Sequence, residues 1–194
     1  MLNRLRTLFV PRTRPQAPEA RVRAILKAFD IEDAVALVGV RGYYLDSLGK
    51  PGKNDRALYD DAIFLVTPEG VMRYNANTDP SVARTGVAVL EPGVHRYKLG
   101  IHGWSKPKNR RYPALVQAEP VTVNRDDWER PDTGWFGINI HRGSYRTTSS
   151  LGCQTLYPAQ WDAFFSSVKD AMRRHEQRTI PYVLVKESKH NISN

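Results

Sequence analysis

Short apolar segments with the spacing typical of strands dominate the sequence, and one amphipathic helical segment lies on each side of the series. Strand-like segments occur at 35–45, 62–66, 71–74, 87–90, 94–101, 115–123, 136–140 and 182–185. Apolar residues at helical spacing occur at 19–29 and 158–174. Many short strands with one helix before and one after them predict a mainly β, α+β fold.

Turn residues suggest how some of these segments connect. Residues 67–70 (Thr-Pro-Glu-Gly) join 62–66 to 71–74, and residues 91–93 (Glu-Pro-Gly) join 87–90 to 94–101, so two hairpins are predicted. Pro120 interrupts the segment 115–123 and places it at a sheet edge. A long polar loop is predicted at 46–61, and loops of this length are often functional.

The length of 194 residues suits a single domain, which we place at 19–194. Residues 1–18 form a basic arm with four arginines and three prolines. Arginines interrupt the short apolar run of this arm, so it does not have the composition of a secretory signal. No stretch approaches the roughly 18 consecutive apolar residues of a membrane helix, so no membrane span is expected.

The single cysteine, Cys153, limits the chemistry of the chain. It excludes an internal disulfide and zinc sites built on several cysteines, which leaves burial or reactivity for this thiol. The alternating apolar residues at 136–140 predict a strand that ends at His141, and a polar loop at 142–150 allows Cys153 to fold back towards the imidazole. A thiol and a base are the minimum for thiolate chemistry.

A second histidine competes for the role of base. His102 is followed by a glycine at the end of the segment 94–101. We favour His141, because its strand leads directly into the loop at 142–153 that carries Cys153, called the cysteine loop below. The sequence leaves both histidines open as the base.

His141 together with Ser150, Gly152 and Cys153 resembles the signature of the L,D-transpeptidases, a family of cell-wall cysteine enzymes. The turn at 91–94 is similar to a Pro-x-Gly hairpin of that family, and the resemblance extends over roughly 60–160. It implies a β-sandwich-like catalytic domain with flanking helices and the cysteine in a groove. The implied substrate is the peptide stem of peptidoglycan, which forms a thioester with the cysteine.

Three departures from the family pattern bear on specificity. Leu151 stands where the family has a second histidine, Gln154 and Thr155 follow the cysteine in place of an arginine or asparagine, and the interval from His141 to Cys153 is short. These differences leave acyl transfer and hydrolysis as a carboxypeptidase or endopeptidase both open.

The resemblance implies a role for each residue of the motif. His141 takes the thiol proton, and the backbone carbonyl of Arg142 orients its ring. The N–H groups of Gly152 and Cys153 are expected to bind the oxyanion, with glycine at 152 allowing a positive φ. Ser150 is expected to shape the loop by hydrogen bonds to the backbone.

Four further residues are candidate substrate-binding groups. Arg142, Tyr145 and Arg146 are predicted to bind carboxylate or carbonyl groups, and His102 lines the same site if it is not the base. The resemblance implies no cofactor and no metal ion, and we expect a monomer.

A net charge of +9 indicates an anionic partner. Besides a peptidoglycan enzyme, two other classes stay open: a cell-wall-binding or structural protein without turnover, and a nucleic-acid-binding module that uses the arginine arm and the basic loop 104–111. No nucleic-acid-binding fingerprint supports the last, so nucleic acid is the less favoured partner. We expect synthesis in the cytoplasm and action in the periplasm or cell wall after lysis or export, as for a phage lysis protein or an effector.

Overall fold

The structure, a computed structural model, describes residues 9–187. Its two α-helices are α1 (Glu19–Ala28) and α2 (Pro158–Arg174). Its strands are β1 (Ala36–Arg41), β2 (Asp61–Thr67), β3 (Gly70–Asn77), β4 (Ala88–Leu90), β5 (Gly93–His102), β6 (Tyr112–Gln117), β7 (Val121–Arg125), β8 (Asp132–Gly134), β9 (Ile140–Arg142), β10 (Gln154–Leu156) and β11 (Ile180–Lys186). The predicted mainly β, α+β fold in a single domain is confirmed.

Eight strands close into a barrel in the order β1, β11, β5, β6, β9, β10, β3 and β2. Most neighbours are antiparallel, but β1 pairs with β11 and β9 pairs with β10 in parallel. The other three strands form a separate sheet in the order β4, β7, β8. A closed barrel beside a small sheet differs from the sandwich-like arrangement that the resemblance implies, because pairing between the distant strands β1 and β11 helps to close one sheet on itself.

The strands β1 and β2 are buried along their whole length, which explains their nearly continuous apolar sequences. Successive residues along each of these two strands belong alternately to two different hydrophobic cores. One core contains Leu37 and Ile63 and includes the apolar face of α2, with Phe164 fully buried. The other contains Val38 and Phe64 and is covered by α1. The small sheet contributes to the first core, so it packs on the barrel as part of one domain.

Both predicted helices and the first hairpin are confirmed. The helix α2 begins at Pro158, a residue suited to the first turn. The strands β2 and β3 pair from Asp61 with Ala76 to Thr67 with Gly70. In the barrel, β3 pairs with β10, the strand that directly follows Cys153.

The second predicted hairpin is wrong. The strands β4 and β5 both form, but β4 pairs with β7 in the small sheet and β5 pairs with β6 and β11 in the barrel. Similarly, the segment predicted as one strand at 115–123 is divided at Pro120 into β6 and β7, which lie in different sheets. Alternation predicts that a segment is extended, but it does not identify the partner strand.

Part of the predicted basic arm lies against the barrel. The carbonyl of Phe9 accepts a hydrogen bond from the N–H of Tyr59, and the carbonyl of Thr13 accepts one from the side chain of Asn75. Ala17 is buried beside α1. The rest of the arm, 1–8, and most of the polar tail, 188–194, lie outside the described residues. Between 9 and 187, no helix has the length and apolarity that crossing a membrane requires.

Candidate active site

Neighbouring strands of the barrel bring His102, His141 and Cys153 together. His102 is the last residue of β5, His141 is the central residue of β9, and Cys153 directly precedes β10. The cysteine Sγ and one nitrogen of each imidazole all lie within 4.8 Å of one another. The two imidazole rings stack, with centroids 4.0 Å apart and planes at 28°. The sequence offers the two histidines as alternative candidates for the base, whereas the structure places both beside the thiol.

The ring of His141 is held through its Nδ1 atom. This atom lies 2.7 Å from the carbonyl oxygen of Arg142 and 3.0 Å from the hydroxyl of Tyr112, which is itself 3.4 Å from the same carbonyl. A carbonyl oxygen only accepts hydrogen bonds, so Nδ1 carries the proton. Nε2 is left with a lone pair, as a base requires. The expected role of the Arg142 carbonyl agrees with this geometry.

His102 has a different partner. Its Nδ1 lies 3.1 Å from the side-chain amide nitrogen of Asn139, which is buried. An amide N–H that donates to Nδ1 leaves the proton of the neutral ring on Nε2. The two stacked histidines are therefore in opposite tautomers, with one presenting a lone pair and the other an N–H group.

Asn139 and Tyr112 were not among the predicted site residues. Tyr112 lies opposite His102 in the antiparallel pair of β5 and β6, so its position follows from strand pairing. Asn139 is two residues before His141, and its side chain points to the histidine of another strand. In the sequence, Tyr112 shows only as an aromatic residue after a basic loop.

The half-buried thiol of Cys153 contacts two backbone groups. Its Sγ lies 3.4 Å from the N–H of Asn139, which donates to it, and 3.4 Å from the carbonyl of Gly137, which accepts from it. Burial raises the pKa of the thiol above its ordinary value, while the Asn139 N–H and the charge of Lys106 act in the opposite direction. The thiol is therefore protonated at neutral pH.

Both histidines are neutral as well. Burial, followed by charge on His102 and Lys106, lowers the pKa of His141 to about 3, while the hydrogen bond to the Arg142 carbonyl acts in the opposite direction. The pKa of His102 is also lowered, mainly by burial and to a smaller extent by the charge of Lys106. At rest the site holds a neutral thiol and neutral imidazoles, so proton transfer to His141 has to accompany nucleophilic attack.

Ser150 shapes the cysteine loop, as the sequence predicts. This buried hydroxyl donates to the carbonyl of Cys153 at 2.6 Å and accepts from the N–H of Gly152 at 3.0 Å. The loop is also tied to Ser81, whose N–H donates to the Ser150 carbonyl and whose hydroxyl accepts from the Ser150 N–H, both at 2.8 Å. The serine thus fixes the turn that carries the thiol.

The prediction that the Gly152 N–H binds an oxyanion is wrong for this arrangement, because Ser150 already occupies that donor. Within 9–187, the N–H of Cys153 has no hydrogen-bond partner and remains available. Glycine at 152 is nevertheless required. Its φ is +133°, and a Cβ atom there would lie 2.7 Å from the Ile138 side chain and 2.8 Å from the carbonyl of Ala88.

Of the four predicted substrate-binding residues, His102 belongs to this cluster, and the other three are less closely tied to it. The guanidinium of Arg142 lies over the ring of Tyr112, 5.6 Å from its centroid. Tyr145 is 65% exposed and packs edge-on against Tyr157. Arg146 is exposed, and its N–H donates to Ser144. The contacts that the structure gives for Tyr145 and Arg146 do not include His102, His141 or Cys153.

A cavity of about 460 Å³ lies beside the cysteine loop. Its lining includes Leu151, two residues before Cys153, Ile138, and the two cationic residues Arg84 and Arg125. Arg125 is paired with Asp132. The exposed guanidinium of Arg84 has no hydrogen-bond or ion-pair partner in the part of the chain that the structure describes. Nothing in the sequence connects Arg84 with the cysteine motif.

Comparison with known proteins gives no assignment: no family model, no curated protein and no solved structure matches the chain.

Proposed function

We propose that this protein is a cysteine enzyme that acts on the peptide stems of peptidoglycan through a thioester on Cys153. The observation that carries the proposal is the arrangement of His141. Its Nδ1–H is held on the Arg142 carbonyl, while its ring lies within reach of the only thiol in the chain. An oriented imidazole with a nitrogen within 4.8 Å of a thiol supports the assignment of a nucleophile and its general base.

The first half-reaction begins with both groups neutral. Sγ attacks the carbonyl carbon of a peptide bond as the thiol proton moves to Nε2 of His141, and the carbonyl electron pair moves to oxygen. When the tetrahedral intermediate collapses, the C–N bond breaks and the leaving amine takes the proton from the imidazolium. In the second half-reaction, an amine or water attacks the thioester and returns the thiol.

The oxyanion needs hydrogen-bond donors that are free in the resting site. The N–H of Cys153 is one such donor, since no described residue occupies it. The N–H of His102 is the second in this proposal, because Asn139 keeps the proton of that ring on Nε2. Removing one oxyanion donor typically raises the activation barrier of an acyl transfer reaction by about 3 kcal/mol, or slows it roughly a hundredfold.

Two features support an acyl donor with a free carboxylate. Arg84 lines the cavity beside the cysteine loop, and its guanidinium has no partner among residues 9–187, while Lys106 is close enough to the thiol to affect its pKa. The Ser-x-Gly-Cys motif, which resembles that of the L,D-transpeptidases, favours a peptidoglycan tetrapeptide with D-alanine as the leaving group. The exposed Leu151 in place of the family's second histidine leaves the acceptor, an amine or water, to be identified.

The test is product analysis. The protein is incubated with purified peptidoglycan and with isolated muropeptides, and the products are separated and weighed by liquid chromatography and mass spectrometry. New crosslinks indicate transfer, and shortened stems indicate hydrolysis. Cys153→Ala is the control and should abolish both.

Unchanged muropeptides with the wild-type protein would contradict the proposal and favour a wall-binding protein without turnover. Retention of DNA by the wild type and by Cys153→Ala alike, lost at high salt, would favour the nucleic-acid-binding class instead.

A further inference from the structure

His102, His141 and Cys153 offer a set of ligand atoms that suits a transition metal. Imidazole nitrogen and thiolate sulfur are the preferred ligands of Zn²⁺, and three protein ligands with an open fourth position are typical of catalytic zinc sites. Three separate elements supply them: the end of β5, the centre of β9 and the residue before β10. They include every cysteine of the chain and two of its five histidines.

The distances are close to those of a metal site. With Zn–N bonds of about 2.0 Å and Zn–S bonds of about 2.3 Å, tetrahedral ligands lie roughly 3.3 to 3.6 Å apart. The three ligand atoms here lie within 4.8 Å of one another. Closing the gap takes a movement of about 1 Å, which small rotations of the half-buried His102 and Cys153 side chains can supply.

We propose that His102, His141 and Cys153 bind one Zn²⁺ ion, with the fourth coordination position left open to water or substrate. The proposal concerns equilibrium metal binding by the folded chain. It stands whether or not Cys153 forms a thioester.

The groups behind the ligands fit this assignment. Ligating histidines commonly donate their second N–H to a carbonyl or carboxylate, which fixes the ring for the metal. For His141, the Arg142 carbonyl and the Tyr112 hydroxyl fill this position. For His102, the partner is Asn139, whose side-chain amide has no other hydrogen bond among residues 9–187. A half-turn of this amide presents Oδ1 to Nδ1–H and leaves the Nε2 lone pair for the metal.

One nearby charge opposes the metal. Lys106 is close enough to affect the pKa values of all three groups, and its positive charge disfavours a cation. Its side chain is exposed, however, so solvent and salt screen this repulsion. Two nitrogen ligands and one thiolate outweigh a single screened charge.

Metal binding has a consequence for the thiol. Coordination replaces the thiol proton with the metal, so one proton is released and the sulfur lone pair is shared with zinc. The bound sulfur is then a weaker nucleophile than a free thiolate, so alkylation and acylation are slowed. The zinc form is therefore a resting form, and removal of the metal restores the nucleophile.

The experiment uses the full chain without a histidine tag, freed of metal by a chelator. Co²⁺ serves as the optical probe, since a thiolate ligand gives a near-ultraviolet charge-transfer band and four-coordinate Co²⁺ absorbs strongly in the visible. The expected result is one equivalent bound, with both signals, and displacement by one equivalent of Zn²⁺. Zn²⁺ should also protect Cys153 from iodoacetamide.

Variants identify the ligands. Cys153→Ala should remove the charge-transfer band, and His102→Ala should weaken binding at least about a hundredfold, because even outer partners of ligands are worth roughly 10- to 100-fold. His175→Ala, at a histidine paired with Glu69 on the surface, is the matched control and should bind like the wild type. Circular dichroism checks that each variant is folded.

Failure to bind one equivalent, or binding that Cys153→Ala leaves unchanged, would overturn the proposal. If His102→Ala does not fold, the wild-type spectrum still decides, because the charge-transfer band and protection from iodoacetamide both require the metal on Cys153. Thioester formation measured in the presence of chelator is independent of each of these outcomes, so this proposal and the proposed function fail separately.

Discussion

The burial of neutral His141 should make the protein lose stability in acid by an amount that one substitution removes. His141 is 3% exposed, and its pKa is lowered to about 3, mainly by burial. In the unfolded chain a histidine has a pKa of about 6.5. Below that value the unfolded state binds a proton that the folded state does not bind, so folding stability falls as pH falls from 6.5 towards 3.

Proton linkage gives the size of the effect. For one group with these two pKa values, the free energy of unfolding falls by about 3 kcal/mol between pH 7 and pH 4. Replacement of His141 by glutamine removes the titrating group and keeps an N–H donor for the Arg142 carbonyl. Contributions from all other groups cancel when the two pH profiles are subtracted, provided the sites are independent.

Urea denaturation at a series of pH values measures the difference. The wild type should lose about 3 kcal/mol more than His141→Gln between pH 7 and pH 4, with equal urea m-values for the two proteins. The two proteins differ at pH 7 by whatever the substitution itself costs, so the comparison concerns the slopes. Parallel profiles would refute the conclusion that a buried, neutral imidazole stands beside the thiol.

Three further predictions concern the loop, the ring and the cavity. Gly152→Ala should destabilise the protein by about 2 to 4 kcal/mol in urea denaturation, because the new Cβ meets Ile138 and a backbone carbonyl at a positive φ. Gly137, the control position, has a φ of +70° and no atom within 4 Å of an added Cβ, so Gly137→Ala should cost only about 1 kcal/mol. Equal losses of stability in the two variants would contradict the packing argument. Tyr112→Phe should slow thioester formation in rapid-quench assays about five- to tenfold through one lost hydrogen bond to His141, and an unchanged rate would show that the Arg142 carbonyl alone holds the ring. Arg84→Gln should raise KM about tenfold for a substrate with a free carboxylate. Arg146→Gln is the matched control and should leave KM within about twofold of the wild type. A larger rise in KM for Arg146→Gln than for Arg84→Gln would identify Arg146 as the carboxylate-binding residue instead.

The sequence predicts the elements of this fold better than their arrangement. The helix α2 has a regular apolar stripe and Pro158 in its first turn, so its bounds follow from local physics. Barrel closure depends on the parallel pairing of β1 with β11, whose residues Val38 and Val183 are far apart in sequence. The periodicity of a segment does not indicate which distant strand it will contact, and for the same reason the predicted pairing of β4 with β5 was wrong.

The candidate site divides in the same way. His141 and Cys153 are close in sequence, and a short motif predicts that they meet. His102, Tyr112 and Asn139 reach the same site through strand pairing, so their contacts depend on the whole barrel. The role of Ser150 follows from its residue type, since serine in turns bonds to nearby backbone. The sequence did not indicate that this bond would use the Gly152 N–H.

The most direct test of the central claim is whether Cys153 becomes acylated. The protein, kept with a chelator, is mixed with a purified tetrapeptide muropeptide, quenched in acid and digested, and the peptide that contains Cys153 is weighed. The account predicts a mass gain equal to the substrate less its leaving amine, confined to this peptide, removed by hydroxylamine and reduced in His141→Gln. Altered muropeptides without any mass gain on Cys153, or no change in either, would contradict it.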